Sequence, residues 1–126
     1  MKYEDWIAAG YKRYEVGNDK QMNKLADFLL QKRFDDVNGK KYYITVYCYD
    51  RTNYPPQYAE MFEDAPIGFM PTAHFSLGED LPFFTVEMNG IESWAGDIEG
   101  VEGWFERLWV LFHRHYYEKW ENNDAV

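Results

Sequence analysis

Residues 41–50 read KYYITVYCYD, and this stretch decides which class of fold the chain adopts. Its side chains fall into an apolar set and a tyrosine-rich set that alternate residue by residue: Tyr42, Ile44, Val46 and Cys48, then Tyr43, Thr45, Tyr47 and Tyr49. Because successive side chains of a β-strand point to opposite faces, the stretch predicts a strand that buries the apolar set. The tyrosine-rich set must then be covered by a helix or be partly exposed.

The residues that follow predict further strands with short turns between them. Residues 68–77 and 83–88 alternate in the same way, and the first of these segments contains Pro71, which indicates an edge position or a bulge. Asn89-Gly90 is a strong two-residue hairpin signal and would lead into a short fourth strand over 91–94. Consecutive strands joined by short turns form an antiparallel sheet.

Helices are predicted on both sides of these strands. Apolar residues at helical spacing favour a first helix over 3–15 and a second from 18 or 19 to 34. A long helix over about 101–121 carries a continuous apolar stripe: Val101, Trp104, Phe105, Leu108, Leu111, Phe112 and His115. We therefore expect a single α+β domain over 1–126. It has an antiparallel sheet of three or four strands, two N-terminal helices and one long C-terminal helix.

Composition narrows the class of protein. A lone cysteine, Cys48, excludes an intrachain disulfide and favours a reducing compartment. Because no signal peptide or membrane-length apolar run is visible, we expect a soluble cytoplasmic protein. The net charge is −9, made of +2 over 1–41 (nine basic, seven acidic) and −11 over 42–126 (four basic, fifteen acidic). Such a charge repels nucleic acids and anionic membranes and attracts basic partners.

The sequence shows no pattern typical of catalysis or of a bound cofactor. His113 and His115 are two residues apart on a predicted helix, so they point to different sides and cannot share a metal ion. Cys48 alternates with core residues, which predicts a buried, inert thiol. The two serines, Ser76 and Ser93, lie in no recognisable nucleophile setting. We expect no catalytic residue, no metal and no cofactor.

One group of residues supports a functional hypothesis, because acids and aromatic rings lie together near the start of the last predicted helix. Carboxylates on a rigid scaffold can imitate a nucleic-acid backbone, while aromatic anchors supply affinity. The alternative is an acidic surface that only keeps an aromatic-rich chain soluble. The predicted partner-binding residues are Glu87, Glu92, Trp94, Asp97, Glu99, Glu102 and Glu106.

The last helix also predicts a surface for self-association. Three large rings lie outside its apolar stripe, and they could form a self-complementary face in a homo-oligomer: Trp109, Tyr116 and Trp120.

A resemblance adds a biological context. Residues 31–36 (QKRFDD), the turn Asn38-Gly39 and residues 40–47 (KKYYITVY) resemble small accessory proteins carried by bacteriophages, as do the short length and the acidity. The resemblance implies a phage-type origin and the host cell cytoplasm, where many such proteins bind and inhibit a host factor. It contains no catalytic motif and transfers no functional residue.

Three functions follow as hypotheses. The first is a non-enzymatic inhibitor of a basic host protein, such as a nuclease or another nucleic-acid-binding factor. The second is an oligomeric small-ligand binder, for example of nucleotides, which uses Lys40-Lys41 beside the tyrosine-rich set. The third is an enzyme, for which no set of residues meets the usual criteria of a site.

Overall fold

The computed structural model describes residues 1–18, 23–35, 41–76, 83–88 and 96–124. Five strands form one antiparallel sheet in chain order, with one short helix before it, helical turns between its third and fourth strands, and one long helix after it. The strands are β1 Lys12–Glu15, β2 Phe28–Asp35, β3 Lys41–Asp50, β4 Ile67–Ser76 and β5 Phe83–Glu87, and the helices are α1 Tyr3–Ala8, α2 Pro56–Ala59 and α3 Ile98–Asp124.

The strand predicted from the opening stretch is confirmed and lies at the centre of the sheet. β3 pairs with β2 on one side and with β4 on the other, and Ile44 stands opposite Lys32 and Ala73. The predicted apolar set is buried throughout, with Ile44, Val46 and Cys48 fully inaccessible to solvent. In the tyrosine-rich set Thr45 and Tyr47 are buried, while Tyr43 and Tyr49 are half-buried.

The predicted helix over 3–15 is wrong beyond its first turns. α1 ends at Ala8, and Gly10 adopts a positive φ of 102°, which turns the chain away from the helix axis. Residues 12–15 then form β1, which pairs with β2. Trp6 is nevertheless buried, as the helical spacing predicts. It packs with Ile44, Val46 and Cys48, because α1 lies on the apolar face of the sheet.

The predicted helix from 18 or 19 to 34 is also wrong, because residues 28–35 form β2. The apolar residues of the segment FLLQKRFD fit the period of a helix as well as that of a strand. Backbone pairing with one edge of β3 decides in favour of the strand. Lys24 and Leu25 have positive φ values of 56° and 59°, which end any helix before β2 begins. The described sheet therefore has five strands instead of three or four, and the predicted fourth strand at 91–94 lies outside the described residues.

The predicted edge position of Pro71 is wrong. β4 is paired on both sides, and its register with β3 runs through Val46 and Pro71 without an offset. The Pro71 carbonyl accepts a hydrogen bond from the Met88 N–H at 2.9 Å. Because an antiparallel residue directs its N and O to the same neighbour, the missing N–H faces the end of β5 and removes no bond to β3.

α3 covers one face of the sheet with a stripe that differs from the predicted one. Asp97 caps it, since its Oδ1 accepts a hydrogen bond from the Gly100 N–H at 2.7 Å. Trp109, expected outside the stripe, is buried against the rings of Tyr42 and Phe75, whereas Leu111, expected inside it, is 58% exposed. Between 98 and 115, where the side chains of α3 are described, the buried residues are Ile98, Val101, Phe105 and Trp109.

β1 forms one end of the described sheet and carries a marked concentration of charge. It has four residues, Lys-Arg-Tyr-Glu, and all four are exposed. Arg13 lies over the Phe28 ring at 4.1 Å and pairs with Glu15 at 2.8 Å. The strand is therefore short and polar where β3 is long and apolar.

Replacing Trp109 by Ala should lower the free energy of unfolding by about 3–5 kcal/mol, because it leaves a cavity beside Tyr42 and Phe75. Val110→Ala is the matched control on the next residue, whose side chain is 47% exposed. It should change the free energy of unfolding by less than about 0.5 kcal/mol. Urea denaturation followed by circular dichroism measures both, and equal losses would contradict the burial of Trp109.

Candidate functional site

The predicted acidic residues are divided between the two faces of the sheet. Asp97, Glu99, Glu102 and Glu106 lie in the cap and the first turns of α3. Glu87 lies on β5 opposite Thr72, on the face that α3 does not cover, and it forms an ion pair with Lys24. The remaining two predicted residues, Glu92 and Trp94, lie outside the described residues.

A groove runs between α1 and the start of α3, and we call it the acidic groove. Its volume is about 580 Å³. Three of the predicted residues line it, Asp97, Glu99 and Glu102, and Asp5 of α1 adds a fourth carboxylate. Among the described residues that line it, Lys32 is the one lysine or arginine, and the other side chains of the wall are small or apolar: Met1, Ala8, Ala9, Gly96 and Ile98.

A hydrogen-bonded network forms the floor of the acidic groove. Lys32 Nζ donates to the Ala9 carbonyl at 2.7 Å and to Glu102 Oε1 at 3.2 Å. The Tyr11 hydroxyl donates to the same Glu102 oxygen at 3.0 Å. The negative charge of Glu102 is thus compensated by Lys32 within the chain. Through these bonds Glu102 joins α3 to Lys32 of β2 and to Tyr11, which precedes β1.

Two other carboxylates of the groove accept hydrogen bonds from the ends of helices. Asp5 Oδ2 accepts from the Lys2 N–H at 2.9 Å, and Asp97 Oδ1 accepts from the Gly100 N–H. Both donors are backbone N–H groups, which carry no formal charge, so these two bonds do not neutralise the carboxylates. Glu99 is exposed at the rim. The groove therefore carries more negative charge than Lys32 neutralises.

The carboxylates of α3 affect two buried tyrosines. Burial, and then the charge and hydrogen bond of Glu102, raise the pKa of Tyr11 well above its ordinary value. Burial, and then the carboxylates of Glu106 and Glu102, raise the pKa of Tyr42 from 10.0 to about 12. Both hydroxyls therefore stay protonated at neutral pH.

The predicted self-association face is only partly described. Trp109 is 2% exposed and belongs to the core, so it is not part of an exposed surface. The side chains of Tyr116 and Trp120 lie outside the described residues. The exposed apolar residues on the described part of α3 are Val110 and Leu111.

The tyrosine-rich face offers little open ring surface. Tyr47 is 7% exposed, and Lys24 Nζ lies 5.4 Å from the centre of its ring. Thr45 accepts a hydrogen bond from Gln31 Nε2 at 3.0 Å, and the Tyr49 hydroxyl donates to the Lys24 carbonyl. The buried members of the set are therefore occupied by contacts within the chain.

The thiol of Cys48 is buried, and the imidazole of His74 is half-buried. Burial raises the pKa of the Cys48 thiol well above its ordinary value, so the thiolate is disfavoured. Burial, and then the charge of Lys24, lower the pKa of His74. Within the described ranges, no three His, Cys, Asp or Glu residues are arranged to hold a metal ion. Nor does any helix there have the length and apolar character needed to cross a bilayer.

A second surface lies between β3 and β4. The 51–66 connection contains α2 flanked by two short 3₁₀ turns, Arg51–Asn53 and Glu60–Phe62. It exposes three large side chains: Tyr54, Tyr58 and Met61. The signal was present in the sequence, because three prolines and a Tyr-x-x-x-Tyr-x-x-Met spacing occur in this stretch.

Comparisons with protein-family models, with curated proteins and with solved structures found no match for this chain.

The free energy of unfolding should fall as the pH rises from 10 towards 12. Unfolded Tyr42 ionises near pH 10.0, whereas the folded residue keeps its proton until about 12. Its stabilisation is thus complete below pH 10 and is lost as the pH passes through the folded pKa. Tyr42→Phe removes this ionisation, so its slope should be shallower by up to about 1.4 kcal/mol per pH unit. Urea denaturation across this range tests the effect, and an identical slope in Tyr42→Phe would refute it.

The ion pair beneath the acidic groove should couple more strongly than an exposed one. Lys32 and Glu102 are 28% and 22% exposed, so a double-mutant cycle with alanine should give a coupling energy of about 0.5–3 kcal/mol. Arg33 and Asp35 are 54% and 56% exposed and form the control pair, with an expected coupling of about 0.2–1 kcal/mol. A coupling no larger than that of the control would show that the inner pair is structurally unimportant.

Proposed function

We propose that this chain is a non-enzymatic protein that binds a basic protein partner through the acidic groove. The observation that carries the proposal is the convergence of four carboxylates from α1 and α3 around one lysine. Three of the four are residues for which the sequence predicts partner binding. The fourth, Asp5, enters only because α1 packs beside α3.

Charge favours a cationic occupant. Lys32 is already shared between Glu102 and the Ala9 carbonyl, and the described residues of the lining include no other lysine or arginine to balance Asp5, Asp97 and Glu99. A lysine or arginine side chain from a partner would supply the missing positive charge, and its methylene groups would lie against Ala8, Ala9 and Ile98. A phosphate would be repelled by the same carboxylates.

Such binding suits inhibition of a protein that itself binds nucleic acid. The basic surfaces of such proteins carry lysines and arginines that contact phosphates, and an acidic groove competes for those side chains. A host nuclease, or another host factor with a basic surface, is the class of partner that we propose. The nucleotide-binding alternative has weaker support, because Tyr47 and Thr45 are buried where stacked bases would need open rings.

Affinity capture from a lysate of the natural host, followed by identification of the captured protein, tests the proposal. The partner should have a basic surface, and its binding should weaken by about tenfold or more between low and moderate salt. DNA or heparin should compete for it. Binding that ignores salt and is not displaced by heparin would exclude this mode of recognition.

Two charge reversals locate the binding on the groove. Glu99→Lys places a cation at the rim and should weaken the captured complex about tenfold or more. Glu15→Lys changes the net charge equally on β1, which does not line the groove, and should change affinity by less than about threefold. Equal effects of the two variants would mean that net charge alone, and not the groove, attracts the partner.

A further inference from the structure

The 51–66 connection is far longer than its position requires. It joins β3 to β4, which pair directly from Asp50 and Ile67 onwards, and it uses sixteen residues to do so. Antiparallel neighbours need only about 2–5 residues, and connections above about 12–15 residues in a small domain are usually functional. A length that the hairpin does not need indicates a role beyond joining strands.

The connection is held in one shape by contacts that use few apolar side chains. The Arg51 N–H donates to the Pro66 carbonyl at 2.8 Å and closes the base, and Arg51 Nη1 donates to the Ala65 carbonyl at 3.2 Å. The guanidinium lies 4.2 Å from the centre of the Phe62 ring. A Cβ at Gly68 would lie 2.7 Å from Arg51 Nε, so the glycine leaves room for this arrangement.

The fixed connection presents large apolar side chains to solvent. Tyr58 and Met61 are three residues apart on consecutive helical turns, which places them on one side, and they are 52% and 72% exposed. Tyr54, at 39% exposed, packs its ring edge-on against Phe62 at the border of the same surface. Tyrosine and methionine are typical of protein interfaces, and their exposure on an ordered segment brings no gain to folding.

The exposed charged side chains of the 51–66 connection are negative. Glu60, Glu63 and Asp64 are exposed, whereas Arg51, the cation of the connection, is half-buried and engaged with Phe62 and Ala65. A depression of about 480 Å³ is lined by Glu60 and Glu63 together with Arg51, Tyr54 and Phe62, whereas Tyr58 and Met61 are not among the residues that line it. The exposed side chains of the connection thus combine an apolar pair, Tyr58 and Met61, with a rim of carboxylates: Glu60, Glu63 and Asp64.

We infer that the 51–66 connection is a docking surface for a basic amphipathic segment of another protein. Apolar side chains of that segment cover Tyr58 and Met61, and its lysines or arginines meet the carboxylates of Glu60 and Glu63. Charge complementarity selects this occupant, because an acidic or uncharged segment would gain nothing from the rim. The inference rests on the proposed function in taking the partner to be basic, but it assigns a surface separate from the acidic groove.

A labelled synthetic peptide of about fifteen residues, with leucines at helical spacing and arginines elsewhere, is a suitable probe. It should bind the full chain, and a matched peptide with serine in place of leucine should bind at least about tenfold more weakly, as measured by fluorescence anisotropy. Comparable binding of the two peptides would overturn the inference, because charge alone would then explain it. Absence of binding by the leucine peptide would overturn it as well.

Variants of the chain locate the contact. Tyr58→Ser with Met61→Ser should weaken binding of the leucine peptide at least about tenfold, and Glu60→Gln with Glu63→Gln should weaken it about threefold to tenfold. Val110→Ser with Leu111→Ser is the control, since it removes two exposed apolar side chains from α3 and should leave binding unchanged. Equal losses in the control, or no loss in the Tyr58 and Met61 variant, would overturn the inference.

Two further measurements separate this inference from the proposed function. Amide shifts of the unaltered chain on addition of the leucine peptide should concentrate within 54–64, and shifts confined to other residues would overturn the inference whether or not a variant folds. Glu99→Lys should leave binding of the peptide unchanged while weakening the complex with the basic host protein. If Glu99→Lys instead weakens peptide binding and the Tyr58→Ser, Met61→Ser variant does not, the peptide binds the acidic groove. The proposed function then stands, and the inference of a docking surface at 51–66 is refuted.

Discussion

Burial of Ile44, Val46 and Cys48 at the centre of the sheet is the constraint on which the rest of the structure depends. These side chains are fully buried, so one face of β3 must be covered by α1 and α3. Both edges of β3 must also be paired, because unpaired backbone groups beside a buried strand are costly. The pairing draws β2 and β4 into place, and the covering brings the two helices side by side. The acidic groove is a consequence, since it forms where α1 and α3 meet over the same face.

The sequence could predict β3, the later strands and the existence of the long helix, because each has one dominant period. It could not predict the N-terminal third. Residues 28–35 carry leucines and phenylalanines that satisfy a helical and a strand period alike, and only the need of β3 for a partner decides between them. The positive φ values of Gly10, Lys24 and Leu25, which interrupt both predicted helices, depend on tertiary contacts that no local pattern contains. Trp109 shows the same limit on α3, since its burial depends on where Tyr42 and Phe75 lie.

The candidate site divides in the same manner. The run of acidic residues before and within α3 is visible in the sequence, and it led to the hypothesis that these residues bind a partner. Compensation of Glu102 was not visible, because Tyr11 and Lys32 are 91 and 70 residues distant from it in the chain. Asp5 lines the groove because of the same long-range packing. Glu87 does not line it, because Glu87 pairs with Thr72 and its side chain lies on the other face of the sheet. The surface of the 51–66 connection could not be predicted, because the exposure of its rings is a property of the folded chain.

The composition of β1 has a consequence for how the protein behaves at high concentration. A chain in which 20% of the residues are aromatic is prone to aggregate through the open edge of a sheet, where free backbone groups can recruit a strand from a neighbouring copy. β1 offers such a strand only four residues, and three of them are charged: Lys12, Arg13 and Glu15. A strand from another copy that paired with β1 would gain only a few backbone hydrogen bonds, and it would partly desolvate these charged side chains. Of the five described strands β1 is thus the least apolar, and its charges disfavour the addition of another strand at this edge of the sheet.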